Sequence, residues 1–293
     1  MANKAKLELI ASMFIFGTIG IFVRYIPLPS TIIALVRGFV GAFFVLLFVY
    51  LKKSSIDKAA IRKNFKMLAL SGAFIGINWI FLFESYNYTT VATATICYYM
   101  EPIFVILASP FLLKEKLTAK KAICAAFALL GMVFVSGMME TGIPALSEAK
   151  GVLYGLGAAC FYATVVLMNK KITDINAYDK TIMQLGMGAI VLTPYVMLTQ
   201  DIGTAALSMT LPLWVLLLFV GLVHTGVAYV LYFDALKDLK AQTVAIFSYI
   251  DPIVAILLSA LLLKENMGIY GIIGAVLVLG STFISELPEK ERN

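Results

Sequence analysis

Two acid-proline pairs stand out in this chain, Glu101-Pro102 and Asp251-Pro252, each set near the middle of a long apolar stretch. A carboxylate in hydrocarbon favours its neutral form unless a cation or hydrogen-bond donors compensate it, so such an acid can take up and release a proton or face a cationic group. The following proline removes a backbone donor and crowds the preceding turn, opening the helix and leaving carbonyls available. The same acids could instead be structural, capping a broken helix or pairing with a basic side chain. Arg37 is the one basic residue deep in an apolar stretch. It could neutralise Glu101, attract the carboxylate of a solute, or snorkel to an interface. Aromatic and polar residues cluster around these groups. Asn78, Trp79 and Tyr99 in the first half, with Tyr229 and Tyr249 in the second, are candidates for walling a cavity and holding a cation over a ring. Tyr86 and Tyr88 read as interface anchors. His224 is the single histidine, so no histidine metal cluster can form; it is a proton-sensitive hydrogen-bond partner or a packing residue.

The elements that must position these groups are long and apolar. Of the 293 residues 61% are hydrophobic and 14% charged, with a mean hydropathy of +0.94, so the chain cannot cover its own surface in water. The apolar residues fall in blocks of about 20, enough to cross a bilayer core as a helix, and lack the alternation of a membrane barrel. The expected spans are 7–26, 31–51, 66–86, 91–112, 120–139, 151–170, 179–199, 212–234, 241–262 and 268–286. The first block precedes no small-x-small cleavage site and is expected to be retained. The cysteines Cys97, Cys124 and Cys160 lie inside apolar blocks and read as packing residues. Nucleotide-binding and metal-ligand spacings are missing, so neither cofactor nor metal is expected, and an enzyme is the least supported class.

Alternate sides of these spans differ in charge. One side collects 19 of the 23 basic residues, among them Lys4, Lys52, Arg62, Lys114, Lys121, Lys170, Lys237 and Lys290; the other has Arg24, Lys150 and Lys264. Basic residues in short loops stay on the cytoplasmic face, which places both termini there and requires an even number of spans. The net charge of +6 therefore expresses topology, and no nucleic-acid partner is expected.

The segment Tyr99 to Glu115, YMEPIFVILASPFLLKE, returns at Tyr249 to Glu265 as YIDPIVAILLSALLLKE, with ten of 17 positions identical. At the same offset Glu84 meets Asp234; both lie near span ends, where gate pairing competes with simple solvation. Glu115 and Glu265 follow lysines and read as positioning helix ends. One copy falls in the fourth span and the other in the ninth, so the halves should run in opposite directions. The expected fold is all-α, ten transmembrane helices in two inverted five-helix repeats, residues 1–142 and 143–293. Inverted halves supply two related packings, as alternating access requires.

These segments, with NWIFLFESYNYTTVATATICYYMEP, FSYIDP and SMFIFGTIGIFVRY, resemble the EamA family of the drug/metabolite transporter superfamily over essentially the whole chain. The resemblance implies a secondary carrier in the cell membrane, often exporting metabolites, amino acids or drugs through a cavity between the halves. Many relatives have an uncharged residue before the first proline, so Glu101 departs from the pattern. The expectation is a carrier of a small polar metabolite, amino acids first, in which Arg37 receives a carboxylate and Glu101, Asp251 or His224 couples to protons. A carrier effluxing cationic compounds and a ligand-binding membrane protein without turnover remain alternatives. Membrane lipid and a small solute are the expected partners; a monomer suffices and a dimer is compatible.

Overall fold

In the computed structural model the described residues are 2–112, 117–135, 146–207, 209–239 and 247–287, and the regular structure among them is helical. Apolar chain in a bilayer has no water to satisfy its peptide groups, and a helix satisfies them within one segment. The helices are α1 (Ala2–Arg24), α2 (Ser30–Leu51), α3 (Lys58–Tyr88), α4 (Val91–Tyr98), α5 (Glu101–Leu112), α6 (Ala119–Val135) and α7 (Leu146–Asn169). They continue with α8 (Ala177–Thr199), α9 (Ile202–Leu207), α10 (Leu211–Gly221), a π-helical turn (Leu222–Val227), α11 (Ala228–Asp238), α12 (Ile250–Leu262) and α13 (Ile269–Glu286).

Seven helical segments among the described residues are long and apolar enough to cross a membrane, running 3–24, 30–51, 58–88, 91–112, 148–169, 177–199 and 211–236. This is an all-α multi-pass membrane protein. The α6, α12 and α13 helices have 17, 13 and 18 residues. The expected spans 120–139 and 241–262 extend outside the described residues at 136–139 and 241–246, as does Glu115 with the neighbouring Lys114.

Burial is arranged for lipid. Large apolar side chains such as Phe111, Leu198 and Leu211 face outward, while Ser12, Ser71, Asn78, Ser85, Thr225 and Thr282 are fully buried. Small and hydroxyl residues let helices approach and bond where no hydrophobic drive separates protein from lipid. A reciprocal case is α6 against α13: a Cβ at Gly131 would stand 2.8 Å from the Gly274 carbonyl oxygen, and one at Gly274 2.6 Å from that of Gly131. In the rest of the bundle, α3 packs on α7 and α8, α2 on α8, and α1 on α11 and α12. The α2 helix also packs on α10 and the π turn, and α7 on α4 and α5.

Two spans are not continuous α-helices. The fourth breaks at Tyr99-Met100, immediately before Glu101-Pro102, and Tyr249 makes a matching turn before Asp251-Pro252, with ψ of 6° and −7° at the two tyrosines. This is the opening the prolines were expected to cause. The π turn between α10 and α11 contains no proline and was not expected.

Candidate functional site

The two breaks face one cavity of about 920 Å³. Its wall includes Arg37 of α2, Trp79 of α3, Tyr99 and Glu101 at the first break, Tyr229 of α11, and Tyr249 and Asp251 at the second. Seven of the eight residues expected to line a cavity are thus brought together from across the sequence, and Pro102 joins them.

Asn78 is the exception. It is fully buried away from the wall, and its amide donates to the Ala158 carbonyl at 2.6 Å, tying α3 to α7. His224 is also off the wall. It sits between the rings of Phe22 and Phe219, at 5.1 and 5.5 Å, with Nε2 2.8 Å from the Thr18 hydroxyl. That hydroxyl already donates to the Ile15 carbonyl, so the ring Nε2–H is the donor and Nδ1 keeps a lone pair with no protein partner. Tyr86 departs from its expected role as an interface anchor: it is 3% exposed and lines the cavity. Tyr88 is near the surface, stacked on Tyr154.

Arg37 is 5% exposed. Its guanidinium carbon lies 4.3 Å from the centre of the Trp79 ring and 5.5 Å from that of Phe83, and its Nε–H donates to the Thr225 hydroxyl at 2.6 Å. Among the described residues no carboxylate comes within 4.0 Å of it. The alternative in which Arg37 neutralises Glu101 is therefore not made as a direct ion pair. What holds the charge is an aromatic face and a neutral hydroxyl, an arrangement that keeps it available to an anionic group.

The acids sit at the breaks. Pro252 cannot donate to the carbonyl four residues back, that of Ser248, and the Tyr99 hydroxyl donates to it instead at 3.3 Å. One repeat's tyrosine thus fills the bond missing from the other repeat's helix. The Tyr99 ring lies 6.3 Å from that of Tyr249 and 6.3 Å from that of Tyr98, and Tyr98 contacts Tyr162 at 5.7 Å, so aromatic rings line both approaches to the acids. Sequence reasoning did not select Tyr98, Tyr162 or Tyr232 as wall residues, although all three line the cavity. The signal for Tyr162 was the segment AACFYATVVLMNK, an echo of the first span.

The two ends of the cavity differ. At one end its wall reaches Ser109, Thr118, Lys121, Lys170 and Ser285, the end where the basic loops lie. At the other, Arg24 donates to the carbonyls of Tyr86 and, at 3.1 Å, Thr89, and pairs with Glu265 at 3.3 Å. Glu265 in turn accepts the N–H of Val91 at 2.9 Å, the first residue of α4, and the Ser259 hydroxyl. Beyond positioning its own helix end, Glu265 fastens α1 and α4 of the first half to the second half, and Arg24 ties the end of α3 to the same cluster. Glu84 and Asp234 do not meet: Glu84 accepts from Ser30 at 2.7 Å, and Asp234 from Tyr178 and, at 3.1 Å, from Lys52. Each holds the start or end of a neighbouring helix. In the loop between α7 and α8, the exposed Asp174 carboxyl accepts from the Lys63 ammonium at 2.7 Å, which holds it below its usual range and fastens the loop without reaching the cavity.

Comparison with known proteins agrees with this architecture. The sequence profile of the EamA-like transporter family matches twice, at residues 4–137 and 149–287. The chain is 31% identical to the uncharacterized transporter YxxF of Bacillus subtilis (strain 168) over 280 residues, 94% of this chain and 87% of that one. It is 27% identical to the uncharacterized transporter YoaV of the same organism over 288 residues, covering 96% of both. An uncharacterized transporter of Archaeoglobus fulgidus is 25% identical over 278 residues, 94% of both. A solved crystal structure covering 97% of this chain and 96% of its own superposes with a TM-score of 0.67 at 15% identity, a likeness of fold.

Proposed function

We propose that this chain, which belongs to the EamA-like transporter family, carries a small zwitterionic metabolite, amino acids first, by alternating access. It is a transporter and not an enzyme. The observation that carries the reading is one cavity into which Arg37 and Asp251 both face without pairing directly. Arg37 receives the solute's carboxylate, Asp251 and Glu101 face its ammonium group or exchange a proton, and the tyrosine wall sets the shape of what fits between. His224, held between two phenylalanines and off the wall, is not part of this coupling.

Ten spans in two inverted repeats are supported by the pattern of packing. Exchange α1 with α7, α2 with α8, α3 with the α10–α11 span, α4–α5 with α12, and α6 with α13. The most extensive contacts then map onto one another: α3 on α7 becomes α11 on α1, α3 on α8 becomes α10 on α2, and α1 on α12 becomes α7 on α4 and α5. The contacts α2 on α8 and α6 on α13 map onto themselves. Such a bundle has a second packing, nearly equal in energy, in which the closed and open ends trade places. With the basic loops cytoplasmic, the present state opens inward, and Arg24 with Glu265 closes the outer end.

The test is uptake of labelled amino acids and other small metabolites into proteoliposomes, with and without an imposed pH gradient. Saturable uptake of carboxylate-bearing zwitterions, stimulated by the gradient in the parent and not in Asp251→Asn or Glu101→Gln, is expected. Broad competition among chemically unlike cations, without need of a carboxylate, would instead identify an efflux carrier of cationic compounds; ligand binding without flux would identify a protein without turnover.

A further inference from the structure

The π turn Leu222–Val227 is the irregular feature that neither proline nor composition explains. A π turn inserts one residue more than an α-helical turn, and single turns of this kind are frequent at functional sites. Here it directs two consecutive residues to different neighbours: His224 to Thr18 of α1 and Thr225 to Arg37 of α2. Thr225 is itself fully buried and does not line the cavity, so whatever it does there it does through Arg37.

The contact is closely built. A Cβ at position 41 would lie 2.3 Å from the Thr225 Cγ2, so α2 can approach the π turn only because that residue is Gly41. The threonine methyl, seated against that glycine, fixes the rotamer that turns Oγ1 toward the guanidinium. Arginine has five N–H donors in a rigid fork, and the Nε–H is the one on its side edge. With that donor used by Thr225 and one face laid on Trp79, neither terminal nitrogen of Arg37 is hydrogen-bonded to a described residue, and Arg37 lines the cavity; an open terminal fork is what grips a planar carboxylate through two parallel bonds. A carboxylate in place of the hydroxyl would hold the arginine equally well and neutralise it; a hydroxyl orients it and leaves its charge for the ligand.

We infer that Thr225 is the positioning residue that presents the terminal fork of Arg37 to the cavity, and that it thereby sets selectivity for a carboxylate over a carboxamide. The inference rests on the reading above that the cavity takes a carboxylate-bearing solute.

The chain has two tryptophans, and Arg37 lies over one of them, so Trp214→Phe leaves Trp79 as a fluorescent reporter of the site. In that background the full-length protein is titrated in detergent with L-phenylalanine and with L-phenylalaninamide as probes. The parent is expected to bind the acid about tenfold or more tighter than the amide. Thr225→Val and Thr225→Ala should reduce that ratio to about two or less, and Thr225→Ser should stay within about threefold of the parent. A ratio unchanged in Thr225→Val and Thr225→Ala but abolished in Arg37→Gln overturns the role of Thr225 and leaves Arg37 as receiver. A ratio near one in the parent, or one that Arg37→Gln leaves intact, removes the carboxylate reading and this inference with it. A second measurement does not depend on the Thr225 variants folding. With four arginines in the chain, the Arg37 Nε–H resonance is identified by its loss in Arg37→Lys. It should be protected from solvent exchange in the parent, and free exchange would overturn the inference.

Discussion

Arg37 and Asn78 show how differently two polar residues in apolar spans can be used. Arg37 holds its charge against Trp79 and beside Thr225, and a lysine there keeps the charge while losing the planar fork and the stacking. Arg37→Lys is therefore expected to raise KM for carboxylate-bearing solutes by about tenfold or more, measured as uptake in proteoliposomes, with unfolding temperature little changed. Asn78 is expected to do the reverse. Its amide bond to Ala158 joins α3 to α7, so Asn78→Ala should lower stability by about 1 kcal/mol in thermal unfolding and leave KM unchanged. The sequence placed both among the candidates for one cavity wall, and could not say that Trp79 faces the cavity while its neighbour Asn78 does not. A helix buried on several sides, as α3 is, has no polar face whose direction would reveal the site.

The broken spans carry the chemistry of the acids. Their positions were readable because glutamate or aspartate followed by proline has a local physical consequence, and the turns at Tyr99 and Tyr249 fall where that consequence predicts. The bond from Tyr99 to the Ser248 carbonyl was not readable, since it joins residues 149 positions apart through a space that only the packed repeats create. Pro252→Ala returns an N–H to that carbonyl and heals the helix. The expectation is a maximal transport rate reduced several-fold, with stability unchanged or raised, checked by flux and thermal unfolding of the same preparation. The π turn was equally hidden: LVHTGV contains no residue that breaks an α-helix outright, and the turn is stabilised by what His224 and Thr225 meet on α1 and α2.

Across the bundle, the repeat and the charge pattern of the loops were enough to anticipate a membrane carrier, because both are written at the length of whole spans. The pairing of Arg24 with Glu265 was not legible, because the two lie at opposite ends of the sequence and each looked like an ordinary charge near a helix terminus. If their pairing shuts the outer end, reversing one charge should destabilise the inward-open state. Arg24→Glu or Glu265→Arg alone is expected to make a single cysteine placed at Thr95, on the cavity wall one turn into α4, reactive to an impermeant thiol reagent from outside, in a background free of the three native cysteines. The double exchange should restore protection to within about threefold of the parent, as an ion pair does when both partners are swapped.

The central claim is that the cavity around Arg37 is the path of a carboxylate-bearing solute. It is tested most directly by uptake of labelled neutral amino acids into proteoliposomes holding the parent chain or Arg37→Gln, in the presence of unlabelled acids or their amides as competitors. The account predicts saturable uptake in the parent, competed by the acids and not by the amides, and lost in Arg37→Gln. Equal uptake by the two proteins, or equal competition by the amides, would contradict it.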